Sequence, residues 1–153
     1  MNEKEKCELL IEKGYVYNSE TGDITNPKGR ILNSKTRRDY LIINCSINKK
    51  SCNVRSHRFG WYYVYKEIPD EIDHINRIRN DNRIVNLRNV TSQENKWNQN
   101  RKGYHWKKSH NKYEVRIKVN YKHIWIGLFN TEIEAREAYL KAKEQYHKIE
   151  YYE

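Results

Sequence analysis

The chain has 153 residues, enough for one medium domain or two small ones. Lys and Arg number 30 against 20 Asp and Glu, so the formal net charge is +10, and the pI is near 9.4. This charge indicates a polyanionic partner, with nucleic acid ahead of an acidic membrane surface. No apolar run approaches the ~18 residues of a membrane span, and the N-terminal residues lack the apolar core of a signal peptide. We therefore expect a cytoplasmic protein that has no membrane partner.

The cysteines, Cys7, Cys45 and Cys52, contain no Cys-x-x-Cys pair. A structural zinc site needs closely placed nitrogen or sulfur ligands, so we expect no structural zinc. Cys45 and Cys52 could face each other across a hairpin, but a reducing cytosol disfavours a disulfide. We interpret all three cysteines as small buried or half-buried residues.

The first part of the chain predicts short helices and a small β-meander. Apolar residues from Cys7 onward indicate a helix that Gly14 ends. Strands bounded by turn-forming residues follow, at residues 15–17, 24–25, 39–47 and 51–54, with a hairpin turn at residues 48–50. Ser56 suits the N-cap of a helix over residues 57–66, and Pro69 ends that region.

Residues 73–98 are polar, yet they are punctuated like folded structure. Leu87 and Val90 mark a short strand, and Thr91 with Glu94 three residues later forms a capping box that begins a helix. The pattern predicts a strand, a long loop, a second strand and a helix. Single Asn residues in such a loop are usually turn formers, and we interpret residues 80, 82 and 89 in this way.

Four polar residues of unlike chemistry lie at the junctions of this pattern. Asp73 and His74 end the first strand, Asn86 starts the second, and Asn95 lies in the first turn of the helix. Carboxylate and amide oxygens suit Mg²⁺ or Mn²⁺ rather than zinc, and a histidine can accept a proton from water near neutral pH. These groups serve metal-assisted phosphodiester hydrolysis. Side chains of adjacent strand residues point to opposite faces of the sheet. Asp73 and His74 can therefore share one site only if the strand bends or ends there.

These residues resemble the HNH endonuclease motif, the ββα-metal fold, and more narrowly the homing nucleases of phages and introns in which Asn replaces the final His. The resemblance rests on residues 73–74, 80–83, 86–88 and 95. It implies His74 as the general base, Asp73 and Asn95 as metal ligands, and Asn86 as the residue that braces the loop and orients His74. Related nuclease domains carry a His-Arg helix before the motif. His57 and Arg58 match it; we interpret His57 as a capping or packing residue and Arg58 as a candidate phosphate contact.

Residues 103–147 show the clearest periodicity in the chain. Apolar residues at 113, 115, 117 and 119 alternate with polar ones, which indicates a half-buried strand. A second strand follows at residues 123–129, and Thr131 with Glu134 forms a capping box that begins a helix. The pattern predicts a three-stranded antiparallel sheet backed by one helix, and the whole chain is expected to be α+β.

This second module resembles the plant ethylene-response-factor (Apetala-type) DNA-binding domain. The resemblance rests on Gly103 and on residues 112–113, 115–117, 126–129, 131, 134–135 and 138–139. It implies that the exposed sheet face contacts double-stranded DNA. The candidate contacts are Lys102, His105, Lys107, Arg116, Lys118, His123 and Trp125. We interpret Trp106 as a packing residue.

The segment of residues 99–102 has no apolar residue, and we place the domain boundary there. The prediction is a nuclease domain of residues 1–100, with the ββα motif at about residues 70–98, and a DNA-binding domain of residues 101–153.

Together the two domains indicate a site-directed, phage-type homing endonuclease that uses Mg²⁺ or Mn²⁺ in the host cytoplasm, with a monomer favoured. One alternative is a DNA-binding regulator with a vestigial nuclease site, which the four intact motif residues argue against. The other is a nonspecific nuclease, which would not need the second module.

Overall fold

The structure, a computed structural model, describes residues 1–47 and 50–149. These residues form small antiparallel sheets and four helices, which is the α+β class that the sequence predicts. The chain divides into two compact units, Met1–Thr91 and Ser92–Glu153. Of the helices in the described residues, none has the length and apolar character that crossing a membrane requires.

The first unit contains two helices and three two-stranded sheets among its described residues. Its elements, in chain order, are α1 Glu3–Glu12, β1 Val16–Tyr17, β2 Ile24–Thr25, β3 Ile42–Ile47, β4 Lys50–Arg55, α2 Ser56–Tyr65, β5 Glu71–His74 and β6 Leu87–Val90. Strands β1 and β2, β3 and β4, and β5 and β6 pair antiparallel. The predicted turn at residues 48–50 includes Asn48 and Lys49, which lie outside the described residues.

The core of the first unit is built from α1, the meander and α2. Leu10, Ile43 and Phe59 are fully buried there, together with the thiol of Cys7. Burial raises the pKa of Cys7 to about 12, so the thiol stays protonated. In a smaller cluster, Trp61 of α2 packs against Ile72 of β5 and Leu87 of β6. This cluster anchors the strand that carries Asp73 and His74.

Helix α2 begins one residue earlier than the sequence predicts. Ser56 is its first residue, and the N-cap is Arg55, which makes no capping bond through its side chain. Ser56 is buried, and its backbone N–H donates to the carbonyl of Leu41 at 3.0 Å. The strand hairpin therefore determines how the chain enters the helix, and the Ser56 side chain does not act as the predicted cap.

The second unit has the predicted sheet and helix. Its elements are α3 Ser92–Trp97, β7 Tyr104–Lys107, β8 Lys112–Val119, β9 Lys122–Phe129 and α4 Glu132–Tyr146, and the strands lie in the order β7-β8-β9. The capping box of Thr131 and Glu134 is present at the start of α4, which confirms that prediction. Val115 and Ile117 pack against Ala135 and Tyr139 of the helix. This packing holds α4 on one face of the sheet.

The segment before β7 lies against α4 rather than forming a free linker. Arg136 donates to the carbonyls of Arg101 and Lys102, and Lys143 Nζ donates to the carbonyl of Gln99 at 3.1 Å. Gly103 has φ +83°, and a Cβ there would lie 2.1 Å from the Tyr139 ring. The two compact units meet between Thr91 and Ser92, and the domain boundary at residue 100 stays a prediction. Backbone carbonyls supply the contacts to α4, so the lack of apolar side chains in this segment gave no sign of them.

Candidate functional site

Asp73 forms a buried ion pair with the residue opposite it on the neighbouring strand. The register of β5 and β6 places Asp73 across from Arg88. The Arg88 Nη2 and Nε atoms lie 2.6 Å and 2.9 Å from Oδ2 of Asp73, and the two side chains are only 12% and 8% exposed. Burying a carboxylate is costly unless it is paired. The Arg88 contact therefore stabilises a buried carboxylate and fixes its orientation, with both guanidinium contacts on the same oxygen.

His74 is the last residue of β5 and is 5% exposed. Its Nε2 lies 3.0 Å from Oδ1 of Asn82. A carbonyl oxygen can only accept, so with this amide orientation Nε2 carries the proton and the imidazole lone pair is on Nδ1. Burial lowers the pKa of His74, against the opposite effects of the Asn82 bond and the Asp73 charge. The imidazole is thus neutral near pH 7, as a general base must be.

The chain turns away immediately after His74. The Arg77 N–H donates to the carbonyl of His74 at 2.9 Å, and Arg77 itself has φ +65°. Asp73 contacts Arg88 on β6, whereas His74 contacts Asn82 in the following loop. The adjacent side chains of Asp73 and His74 are therefore held by different elements, Asp73 by β6 and His74 by the following loop.

Asn86 braces the loop between the two strands. It lies in a short 3-10 turn just before β6, where its Oδ1 accepts from the N–H of Asn76 at 3.0 Å. Its Nδ2 donates to the carbonyl of Asp81 at 2.8 Å. Both polar atoms of this side chain are thus used on the loop backbone. The sequence prediction also gives Asn86 the task of orienting His74, but the amide bonded to the imidazole is Asn82.

Asn82 is the residue that the sequence interpretation missed. It is 1% exposed, and its carbonyl accepts from the Tyr17 hydroxyl at 2.7 Å. Gly22 packs against the same backbone, since a Cβ on Gly22 would lie 2.6 Å from the Asn82 carbonyl carbon. Residues far away in sequence thereby fix Asn82 beside His74. A polar loop full of Asn gives no local signal that one of them is buried.

His57 packs beside His74 rather than capping its helix. The His57 ring centroid lies 5.1 Å from that of His74, and the Tyr40 ring lies 5.5 Å from His57 and 6.0 Å from His74. Burial lowers the pKa of His57 to about 3, so the ring is uncharged. The rings of His57 and Tyr40 thus pack against the imidazole of His74.

Arg58 makes its contacts with other elements of the first unit. Its Nε lies 2.6 Å from Oε2 of Glu3, and its Nη2 donates to the carbonyl of Pro69 at 2.9 Å. The side chain is 15% exposed. The guanidinium connects α1, α2 and the segment before β5, because Glu3 in the first turn of α1 provides the opposite charge. These contacts give Arg58 a structural role, and the expected phosphate contact stays a prediction.

Asn95 lies on α3, in the second compact unit. Within that unit, the Trp97 ring stacks on His147 with centroids 4.7 Å apart, and Gln93 Nε2 donates to Oδ1 of Asn120 at 3.0 Å. Among the residues that the structure describes, no group of three or more His, Cys, Asp or Glu side chains is placed to hold a metal ion. Asp73 and Asn95 are hard oxygen donors, which fit Mg²⁺ or Mn²⁺.

Residues 54–96 match the family model for HNH endonuclease. This HNH span contains Asp73, His74, Asn82, Asn86 and Asn95. A solved structure described as "DNA binding and cleavage by the HNH homing endonuclease I-HmuI" is 25% identical, with a TM-score of 0.48. The similarity covers 56% of this chain and 51% of that chain, so this chain spans about half the length of that protein. Comparison with curated proteins found no match.

Outside the HNH span, most of the predicted DNA contacts lie on one face of the second unit's sheet. Strand register places Arg116 opposite Trp125 and Lys118 opposite His123. His105 and Lys107 lie on the same face, where both contact the carboxylate of Glu114. Trp125 is 58% exposed and Trp106 is 47% exposed, although Trp106 also contacts the edge of Tyr113.

Lys102 is the exception among these candidates. Its Nζ lies 3.3 Å from Oε1 of Glu132 and 4.4 Å from the centroid of the Tyr104 ring. Glu132 starts α4, and Tyr104 packs against the core beneath that helix. Lys102 therefore lies on the helix side of the sheet, because the chain enters β7 from α4.

Glu114 is a buried carboxylate on the otherwise basic face. It is 2% exposed, and its oxygens lie 3.0 Å from His105 Nε2, 2.8 Å from Lys107 Nζ and 3.0 Å from Arg116 Nη2. The hydrogen bond from Lys107 lowers the pKa of Glu114 to about 2, and Arg116 adds to the effect. Strand alternation predicts a solvent-facing residue here, so the sequence interpretation missed its role in orienting three neighbouring basic side chains.

Proposed function

We propose that the protein is a metal-dependent DNA endonuclease of the homing type, which hydrolyses phosphodiester bonds in double-stranded DNA. The observation that carries the proposal is a neutral, buried His74 whose Nε2 is bonded to Asn82, within the span that matches HNH endonuclease. A histidine held in one tautomer beside a buried carboxylate is suited to activate water for attack on phosphorus.

In this proposal His74 accepts the proton of the attacking water through Nδ1, while Asn82 holds the opposite nitrogen. The hydroxide oxygen bonds to phosphorus, the bond from phosphorus to the 3′ oxygen breaks, and the leaving 3′ oxygen takes a proton from water. The products carry 5′-phosphate and 3′-hydroxyl ends. Mg²⁺ or Mn²⁺, held by Asp73 and Asn95, would supply stabilisation of the charge that develops on the phosphoryl oxygens and the leaving oxygen.

The neighbouring residues keep this arrangement in place before DNA arrives. Arg88 fixes the Asp73 carboxylate, and Asn86 braces the loop that presents Asn82. The rings of His57 and Tyr40 limit the movement of the His74 ring. Such preorganisation lowers the cost of reaching the transition state, because the groups need little rearrangement during the reaction.

DNA recognition is assigned in this proposal to the second unit, as an ethylene-response-factor (Apetala-type) module. The face that carries Arg116, Lys118, His123 and Trp125 is exposed and basic. A sheet face of this kind can enter the major groove, where Arg reads guanine and other basic residues contact phosphates. Glu114 would fix the direction of Arg116 toward the groove.

A DNA-binding regulator with a vestigial nuclease site is the rival proposal. The observation in its favour is the Arg88 side chain, which already provides a positive charge at Asp73. The two proposals differ in one measurable property, because only the nuclease cleaves DNA in the presence of Mg²⁺. Binding to DNA is expected from both.

The test is cleavage of supercoiled plasmid and of genomic DNA from the source organism, with Mg²⁺, with Mn²⁺ and with chelator. We expect ends to form only with a divalent ion, and His74→Ala to lower the rate by about 10²- to 10⁴-fold while DNA affinity stays unchanged. His110→Ala, an exposed residue of the second unit, is the matched control and should cleave normally. Full activity of His74→Ala would remove His74 as the base, and no cleavage by the unmodified protein would favour the regulator.

A further inference from the structure

The second unit contains a cavity of about 450 Å³ that the proposed cleavage step does not use. Its lining overlaps the proposed DNA-contacting face at His105, Arg116, Lys118 and His123. Its lining includes Arg116, Ile117 and Lys118, three consecutive residues of β8. Side chains of consecutive strand residues point to alternating faces, so a cavity that all three border lies along the edge of the strand. The volume is within the range of pockets that bind small molecules.

Strand pairing explains why this edge is open. β7 pairs with β8 only from Lys112 to Val115, whereas β9 pairs with β8 as far as Val119. In the part of the chain that the structure describes, Arg116 to Val119 thus have a strand neighbour on one side only. The cavity occupies the position beside this segment, between α3 on one side and the β8–β9 turn on the other.

The cavity is basic. Lys96, Arg101, Arg116 and Lys118 line it. Within residues 1–47 and 50–149, no Asp or Glu contributes to the lining. Arg116 is already paired with Glu114, so the excess positive charge of the lining is carried by Lys96, Arg101 and Lys118. A group of cations around a concave site favours an anion, and a phosphate group matches Arg and Lys well.

The cavity is also aromatic. Trp97 and Tyr121 line it, and the Trp97 ring is supported by its stack on His147. Tyr121 is 80% exposed, with Lys118 Nζ 5.9 Å from its ring centroid. Aromatic rings beside cations are the usual way in which proteins hold a base and its phosphate, because every base offers a flat face for stacking.

His147 adds a hydrogen-bond acceptor to the lining. Its Nε2 lies 3.1 Å from the carbonyl of Lys118, so Nε2 must donate and Nδ1 holds the lone pair. Nδ1 is buried, and no hydrogen-bond partner for it is present among the described residues. A ligand that carries an amino, imino or hydroxyl donor would satisfy it, and nucleotides carry such donors on the base and the sugar.

We propose that this cavity binds a single nucleotide, with its phosphate on Lys96 and Arg101 and its base against Trp97 and Tyr121. The nucleotide is either a free nucleoside monophosphate or one unstacked nucleotide of a DNA strand. The second source rests on the proposed function, since it requires DNA on the second unit. Both sources share the same chemistry, and the experiment separates them.

The experiment uses the full chain in chelator, so that no DNA is cleaved. Calorimetry measures binding of dAMP, of dTMP and of inorganic phosphate, and fluorescence anisotropy measures binding of a duplex with one unpaired nucleotide and of the perfect duplex. The variants are Lys96→Ala and Tyr121→Asn. Asn is chosen because Tyr121 has φ +64°, a conformation that Asn tolerates. Lys108→Ala, an exposed lysine outside the cavity, is the matched control.

If the ligand is a free nucleotide, we expect dAMP or dTMP to bind at least about tenfold more tightly than inorganic phosphate. Lys96→Ala and Tyr121→Asn should each weaken that binding by about fivefold or more, with Lys108→Ala unchanged. If the ligand is an unstacked nucleotide of a DNA strand, we expect the duplex with one unpaired nucleotide to bind at least about fivefold more tightly than the perfect duplex. Lys96→Ala and Tyr121→Asn should then lose this preference and keep their affinity for the perfect duplex.

The proposal is overturned if neither preference is observed, if phosphate binds as tightly as the nucleotides, or if Lys108→Ala weakens binding as much as Lys96→Ala. Thermal unfolding of each variant serves as the folding control. Cleavage with Mg²⁺ is measured separately on perfect duplex. A chain that cleaves but shows no nucleotide preference disproves the cavity proposal alone, and a chain that shows the preference without cleavage disproves the nuclease alone.

Discussion

Asn82 Oδ1 lies 3.0 Å from Nε2 of His74, and this single bond determines which imidazole nitrogen can accept a proton. Asn82 is held there by the Tyr17 hydroxyl at its carbonyl and by the close approach of Gly22. Asn82 is thus buried and held in one position, although it lies in a loop. In the proposed reaction the effect of Asn82 is indirect, because His74 would accept the proton.

Asn82→Ala should lower the cleavage rate without changing DNA affinity. Loss of a buried partner costs about 1–3 kcal/mol, which corresponds to about a 5- to 150-fold lower rate and a similar loss of folding stability. Single-turnover cleavage, anisotropy and thermal unfolding measure the three quantities. Asn89→Ala, on the exposed side of β6, is the control and should change none of them. An unchanged rate in Asn82→Ala would mean that the bond to His74 is not needed.

Asp73→Ala should affect stability as well as metal use, because the Arg88 guanidinium would stay buried without the Asp73 carboxylate. Breaking a buried ion pair typically costs about 3–5 kcal/mol of unfolding free energy. Asn95→Ala removes a proposed neutral ligand and no buried charge, so it should lower that free energy less than Asp73→Ala does. Raised Mg²⁺ should restore part of the activity of Asn95→Ala but little of that of Asp73→Ala. Denaturant unfolding and cleavage over a series of Mg²⁺ concentrations check this, and equal rescue of the two variants would contradict it.

Arg58→Ala should destabilise the first unit and leave DNA contacts unaffected. The Glu3 ion pair and the bond to the Pro69 carbonyl are lost together, and we expect a cost of about 1–3 kcal/mol. The slope of log affinity against log salt should not change, whereas loss of a true phosphate contact makes it shallower by about 0.9. Arg116→Ala provides the comparison. A shallower slope in Arg58→Ala would restore the phosphate contact that the sequence suggested.

Glu114→Gln should lower the thermal midpoint of unfolding near pH 6, with the difference from the unmodified protein disappearing in acid. The pKa of Glu114 is lowered from its ordinary value of 4.5 to about 2 in the folded chain. A lowered pKa gives stability that is present above the unfolded-state pKa and is lost as the pH falls through the folded-state pKa. The gap should therefore narrow between pH 4.5 and 2. Glu137→Gln on the exposed side of α4 is the control, and a gap independent of pH would contradict the charge argument.

The sequence by itself determined those features that depend on neighbouring residues along the chain. Alternation predicted which residues of β8 pack on α4, and the pair Thr131 and Glu134 predicted where that helix begins. The α+β class was predicted from local periodicity in the same way. The HNH motif was recognised by the resemblance of residues 73–74, 80–83, 86–88 and 95 to that family. Such patterns are properties of short segments, so they can be recognised before the tertiary structure is known.

The tertiary structure decided which partner each polar side chain takes. Arg58 contacts Glu3, 55 residues away, and Asn82 is fixed by Tyr17, 65 residues away. Glu114 is buried because cations from two strands cover it. A charged or amide side chain can be satisfied by many partners, and its choice depends on which elements are packed together. That packing is not written in the local pattern, so the roles of these residues became visible only in the folded chain.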